Sequence, residues 1–404
     1  MAKLQFSADA IRRRAAFATI GAVARGRRSI GVFLIVSERR LGDMIAWLPS
    51  TSRAAWRAST AWAIFCATAL AWCAAARGQV SGSGGAPERG DWLAQAKFGV
   101  MTHYLADWQA RAAGGEMSVD RWNAMVDAFD AAGLAEQLHS VGAGYLIFTV
   151  GQNSGYFAAP NATYDEVVRR SPSRCARRDL IGDLASELQR RHIRLIVYLP
   201  AGAPAGDRQA RTALGWQDGG QRNAEFQIHW EQVIAEWSRR WGDAVAGWWF
   251  DGCYWPNAMY RDPLPPNFGS FAAAARAGNP DSIVAFNPGV VDRTLSVTPF
   301  EDYTAGEIND LETSLLRRVE KGRVDGARVH KLSYLGRTWG TAPPRYADLA
   351  AVAIPWTGRV VAAGGAVTWD APVDRRGLIP EEFVAQLQEI GQAVAPRTSD
   401  PAEN

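Results

Sequence analysis

Lysine is scarce. Only Lys3, Lys97, Lys321 and Lys331 occur in 404 residues, so arginine supplies nearly all the positive charge. Forty-four basic residues against 41 acidic ones leave +3, too little to draw the chain to a polyanion such as nucleic acid. The richness in arginine and alanine reads as a GC-rich genome before it reads as nucleic-acid binding. Cysteine is also scarce, with four residues and no CxxC spacing, and the two that stand beyond the N-terminal apolar run are too few for a disulfide framework or a zinc site. Five scattered histidines form no HExxH motif, so no metal and no cofactor is implied. There is no P-loop, no dinucleotide glycine pattern and no Ser-His-Asp order. With 48% hydrophobic and 21% charged residues the chain is not a disordered one. What it has in excess is tryptophan, 17 in all. An indole face stacks on the apolar face of a sugar, although most single tryptophans belong to a core.

Residues 1–90 carry no fold pattern. Ala61 to Ala76 is an uncharged apolar run, preceded by Arg53 and Arg57 and followed by the Gly/Ser-rich Gly78 to Gly85. A positive start, a short apolar stretch and an A-x-A close make a secretory signal peptide. The expectation is translation from Met44, with residues 1–43 an upstream extension, 44–77 the signal and 78–90 a linker. A single membrane anchor is the alternative, since the run is at the lower edge of spanning length. A lipoprotein site at Cys73 fits less well, because bulky Trp72 stands where a small residue is wanted. Export to the periplasm or medium follows from the first reading, and membrane contact only from the second. Cys66 and Cys73 leave with the signal. Cys175 and Cys253 remain, and a single bridge between them is left open.

Residues 91–396 read as one domain, with 397–404 a tail. Apolar, β-branched or aromatic runs alternate with amphipathic stretches. Strands are expected near Lys97–Tyr104, Gly144–Val150, Ile193–Pro200, Ala246–Cys253, Ser282–Gly289, Asp302–Glu307, Val329–Gly336 and Ala366–Pro372. Helices are expected over Trp122–Val141, from an Asp179 N-cap to Leu188, over Phe226–Trp241 and over Pro380–Val394. The weakest unit lies between Glu307 and Val329, where Leu311 to Val319 is short and heavily charged. Eight strand–helix alternations with doubly apolar strands give an α/β fold, a (β/α)8 TIM-type barrel, with no C-terminal β-sandwich expected.

Active sites in such barrels lie at the carboxyl ends of the strands. Those ends carry His103, Gln152 and Asn153, Asp251, Asn287, Glu307, Arg337 and Trp339, and Trp369 with Asp370. Asp251 closes the apolar Gly247-Trp248-Trp249-Phe250 run, and Tyr254-Trp255 follow it. Glu307 ends Glu301-Asp302-Tyr303-Thr304-Ala305-Gly306-Glu307, where a solvated acidic loop is the competing reading. His139 and His192 fall at the opposite end of the barrel and read as structural.

Several of these segments match one family in the same order. Lys97-Phe98-Gly99-Val100 with His103, Phe129-Asp130-Ala131 with Ala143-Gly144-Tyr145, Trp249-Phe250-Asp251-Gly252, and Asp302 to Glu307 resemble motifs of the α-L-fucosidases of glycoside hydrolase family 29. The stretch from Gly364-Gly365 to Gly391 is similar to that family's close. The resemblance spans nearly all of Asp91 to Val394. It implies a retaining glycosidase acting on α-L-fucosides or a related deoxy- or hexosyl glycan, with Asp251 the nucleophile and Glu307 the acid/base. The sugar-recognition positions depart from the family. Its His-His pair after the second strand is replaced by Gly151-Gln152-Asn153-Ser154-Gly155-Tyr156, its NxR by Asn287-Pro288-Gly289, and its LLN by Val367-Thr368-Trp369-Asp370. Fold and hydrolysis therefore transfer better than the identity of the sugar.

On this reading His103, Gln152, Asn153 and Asn287 orient hydroxyls, and Trp255, Trp339 and Trp369 are stacking platforms. The partner is an oligosaccharide or glycoconjugate. The rival class is a catalytically inactive barrel that binds a glycan, favoured by the missing His pair and opposed by two retained inward carboxylates.

Overall fold

A computed structural model of the protein describes residues 88–395 apart from 220–221, 255–259, 292, 312–315 and 317–318. The expected upstream extension, signal peptide or anchor, most of the linker and the tail at 397–404 lie outside the described residues. Among the described residues no helix is long and apolar enough to cross a membrane.

The chain runs α1 (Asp91–Ala96), β1 (Phe98–Thr102), α2 (Ala106–Ala112), α3 (Val119–Asp127), α4 (Ala131–Ser140) and β2 (Tyr145–Thr149). Then come α5 (Ala162–Val168), α6 (Leu180–Gln189), β3 (Arg194–Pro200), α7 (Arg208–Ala213), α8 (Ala224–Trp241), β4 (Gly247–Asp251), α9 (Phe268–Ala275) and β5 (Ile283–Phe286). A hairpin of β6 (Arg323–Val324) and β7 (Ala327–Arg328) precedes β8 (His330–Tyr334), α10 (Ala353–Ala362), β9 (Ala366–Asp370) and α11 (Glu381–Val394). Seven strands pair in parallel in the order β5-β4-β3-β2-β1-β9-β8. The architecture is the expected α/β barrel of TIM type, its strands buried on both faces.

The expected sixth strand, Asp302–Glu307, is present as an irregular wall rather than a regular strand. The Asp302 amide donates to the Val284 carbonyl at 2.9 Å on the β5 side. On the β8 side the Thr304 amide donates to the Arg328 carbonyl and the Leu332 amide to the Gly306 carbonyl, each at 2.9 Å. Gly306 breaks the ladder, because its φ of +70° is left-handed and a Cβ there would meet the His330 carbonyl oxygen at 2.0 Å. The described residues of the short charged stretch after it, Leu311, Leu316 and Val319, belong to no helix, and the β6–β7 hairpin follows at Arg323–Arg328.

The single helix expected over Trp122–Val141 is two helices. The Asp130 side chain accepts from the Gly133 amide at 2.8 Å and so starts a second helix in mid-pattern. Asp179 caps α6 as expected, accepting from the Gly182 amide at 2.9 Å.

Strand alternation sorts the apolar side chains into two cores. Phe98, Leu146, Val197, Trp248, Phe250 and Val367 face outward into the strand–helix layer. Met101, Tyr145, Ile147, Ile196, Tyr198, Trp249, Ile283, Ala285, Tyr303, Ala305 and Leu332 fill the barrel itself. Leu93 of α1 plugs the amino-terminal end of that inner core. Gly99 is required there, since a Cβ would sit 2.3 Å from the Tyr145 ring. Cys175 and Cys253 are both buried free thiols, so the bridge left open by the sequence is not formed.

Candidate active site

The inward parity of each strand predicts which end residues meet. Counting by twos from Met101, Trp249, Ala305 and Ala366 reaches His103, Asp251, Glu307 and Asp370, while Tyr198 is already an inward residue of β3. His103, Tyr198, Asp251 and Glu307 line a cavity of about 200 Å³ at the carboxyl end of the barrel, with Trp108, Gln152 and Trp339 among its other walls, while Asp370 lies behind His103.

Asn287 joins the two carboxylates. Its carboxamide nitrogen, Nδ2, has two hydrogens. One points to Asp251 Oδ1 at 2.9 Å and the other to Glu307 Oε2 at 2.5 Å. Asn287 itself is fully buried, and its Oδ1 accepts from the Gly289 amide, which orients the group. Asp251 has two further donors, the Tyr198 hydroxyl at 2.5 Å on Oδ2 and the Gly252 amide at 2.8 Å on Oδ1. Gln152 Nε2 in turn donates to the Tyr198 oxygen. Burial pushes the Glu307 carboxyl up to about 7, with the Asp251 charge adding to the rise and the Asn287 bond opposing it. Tyr198 is pushed well above the ordinary phenol value by burial and by the Asp251 carboxylate, so it stays a donor.

On the opposite wall His103 Nδ1 lies 2.7 Å from Asp370 Oδ1, and the Gly340 amide donates to Asp370 Oδ2 at 2.5 Å. Asp370 is fully buried and fixes the ring, leaving His103 Nε2 as the atom free to turn toward a ligand. Trp108 stacks on the imidazole at 5.0 Å, and Trp339 meets it edge-on at 6.3 Å.

Of the residues expected from sequence, Asp251, Glu307, His103, Gln152, Asn287 and Trp339 therefore converge on one cavity or on its carboxylates. Asn153 stands beside it, in an adjoining cavity that also reaches Gln152 and Asp251. Trp255 lies outside the described residues. Trp369 is misplaced by the sequence reading. Its parity on β9 is outward, and it is fully buried against Tyr346 and Trp356, with its indole N–H donating to Thr357 Oγ1. It is a core residue. The sequence reading missed Tyr198 and Trp108, and assigned Asp370 no role. Parity would have found Tyr198 and Asp370, whereas Trp108, on a helix after β1, has no such signal. Among the described residues no cluster of three or more His, Cys, Asp or Glu is placed to hold a metal ion.

No family model and no curated relative matches the chain. Solved structures do. An endo-fucoidan hydrolase of glycoside hydrolase family 107, P5AFcnA, superposes with a TM-score of 0.59 at 16% identity, over 76% of this chain and 93% of its own. An α-L-fucosidase isoenzyme 1 from Paenibacillus thiaminolyticus gives 0.52 at 18% identity, over 75% and 74%. The α-L-fucosidase AlfC from Lactobacillus casei, in complex with α-L-fucose, gives 0.50 at 17%, over 76% and 98%. At these identities the likeness concerns the fold alone: this chain shares the barrel of these solved structures, and neither family is singled out.

Proposed function

We propose that the chain is a retaining glycoside hydrolase acting on α-L-fucosides or a related deoxy- or hexosyl glycan, with Asp251 the nucleophile and Glu307 the acid/base. One observation carries the reading. A single nitrogen of Asn287 reaches both carboxylates, so their nearest oxygens stand within about 5.5 Å. That is the spacing of a retaining pair, short of the roughly 6.5–9.5 Å that leaves room for a water in an inverting one. The likeness in fold to fucose-acting enzymes supports the sugar class.

The chemistry follows from two unlike environments. A carboxylate oxygen of Asp251 attacks the anomeric carbon, and the bond to the leaving oxygen breaks as Glu307 delivers its proton there. Water then attacks the glycosyl ester, giving its proton to Glu307 and releasing Asp251. A carboxyl raised to about 7 is still protonated in mildly acidic solution, as the first step needs. The Tyr198 hydroxyl and the Asn287 amide hold Asp251 in line for attack, and His103, fixed by Asp370, faces the sugar hydroxyls. Gln152 acts through Tyr198.

The test is a panel of α- and β-linked aryl glycosides, α-L-fucoside included, read by chromophore release and by NMR of the first anomer formed. Turnover with retained configuration that vanishes in Asp251→Ala, with the fold intact, supports the proposal; an inverted first product overturns the assignment of Asp251. Glycan binding equal in wild type and Asp251→Ala, with no turnover in either, favours instead a barrel that binds without cleaving.

A further inference from the structure

The catalytic cavity has a larger neighbour. A second cavity of about 330 Å³ opens among the segments after β2, β3 and β4. Its walls include Asn153, Gly202, Ala203, Trp216 and Tyr254, and it shares Gln152 and Asp251 with the catalytic cavity. Three features make it a built site rather than a surface dent. Trp216 is held in place, edge-on to Phe226 at 4.8 Å and with its indole N–H on Asp218 Oδ1 at 3.0 Å. Gly202 leaves the indole accessible, since a Cβ there would lie 3.0 Å from the edge of the six-membered ring. Tyr254, 59% exposed, offers a second aromatic surface at the mouth.

The position of the cavity decides what it can take, granted the retaining reading above. In a displacement at the anomeric carbon the nucleophile and the leaving group occupy opposite faces, and the acid must reach the leaving oxygen. Glu307 lines the catalytic cavity and not the second one, which meets the catalytic centre on the Asp251 side. A group seated there hangs from a hydroxyl of the reacting ring, not from its anomeric carbon. Its charge follows from the walls: the described lining residues of the second cavity include no Arg, Lys or His, so none of them is placed to pair with a sulfate or carboxylate. Aromatic faces with carboxamides beside them suit an uncharged pyranose. We propose that the second cavity is a subsite for a neutral sugar unit attached to a ring hydroxyl of the reacting residue, so that the enzyme favours internal or substituted residues over bare terminal ones.

The test uses 4-nitrophenyl α-L-fucoside, its three analogues bearing a fucosyl unit on O2, O3 or O4, and an O-sulfated analogue. At least one fucosylated analogue should exceed the bare fucoside about tenfold in kcat/KM. Trp216→Leu should abolish that gain and Tyr254→Ala, at an exposed position, should reduce it, both leaving the bare fucoside within about twofold. Equal loss on bare and fucosylated substrates, no gain from any fucosyl unit, or a gain from sulfate overturns the proposal. If no compound is cleaved, the hydrolase reading fails and calorimetric titration of the same compounds decides the subsite. Tighter binding of a fucosylated analogue that depends on Trp216 upholds it, and its absence overturns it.

Discussion

Asn287 is the residue whose loss should be most informative. Removing its carboxamide takes one donor from each carboxylate at once. For Glu307 that donor is the main influence opposing the rise imposed by burial, so without it the carboxyl moves further up. Asn287→Ala is therefore expected to shift the alkaline limb of the kcat/KM profile from near pH 7 to a higher pH. Activity at the optimum should fall by about tenfold or more through the loosened Asp251. A pH–rate profile on an aryl glycoside checks both, and a limb that moves down would contradict the assignment of Glu307 as the acid. Tyr198→Phe tests the other side of Asp251. It leaves Asp251 Oδ2 and Gln152 Nε2 each without a partner, a cost of about 1–3 kcal/mol for such groups. The expected result is a fall of roughly ten- to a hundredfold in kcat/KM, with the alkaline limb unmoved because Glu307 keeps its own partner.

At the scale of elements, the turn that follows β5 is organised around Glu301. This carboxylate is wholly interior and accepts from the Phe286 amide at 2.8 Å, the Val297 amide at 2.5 Å and Ser296 Oγ at 2.8 Å. It thereby ties the last residue of β5, next to Asn287, to the chain entering the sixth wall. Glu301→Ala orphans those buried donors and is expected to cost about 3–5 kcal/mol in urea unfolding. Glu301→Gln should recover only part of that loss, since its NH2 cannot accept from Val297. Much of this layer was legible beforehand. Apolar, β-branched or aromatic runs marked all seven strands of the parallel sheet, the more polar β8 included, and Asp179 marked a helix start. What was missed has physical reasons. Asp130 is a capping residue set inside an unbroken helical period, so periodicity alone joined α3 to α4. Gly306 needs a left-handed conformation that no propensity pattern announces. Trp369 was judged by its chemistry and not by its parity, which on a two-residue repeat sends it outward while its neighbour Asp370 turns in. Glu307 and Asp251 were legible because each ends an inward-facing register. Their link through Asn287 was not, because it depends on the packing of three strand ends.

For the whole molecule, pH sensitivity should be governed by a few buried groups with opposing signs. Burial raises Glu301 and Glu307 from an ordinary 4.5 to about 7. Between those values the unfolded chain has released both protons and the folded one holds them, so stability falls as pH rises, and is fully present only below about 4.5. Asp165 and Glu231, also raised by burial, act with the same sign. His330 acts against them. It lies deep in the barrel, with its ring nitrogens at Thr304, Ala305 and Thr368, and burial lowers it from 6.5 to about 4. Over that interval the unfolded chain binds the extra proton, so stability rises with pH. Asp91, Asp207 and Glu236, held below the usual carboxylate range by arginines or amides despite their burial, lose their contribution only in more acidic solution. With two strongly raised glutamates against one histidine, the net effect from about pH 5 to 7.5 is a loss. Calorimetric Tm should therefore decline across that interval. Glu307→Gln removes one of the two strongly raised groups without touching the inner core, leaving Glu301 and His330 nearly balanced. Its Tm should decline less steeply than that of the wild type. Tm slopes that are the same in both proteins would mean that Glu307 is ionised in the folded barrel, and the proton donor of the first step would have to be sought elsewhere.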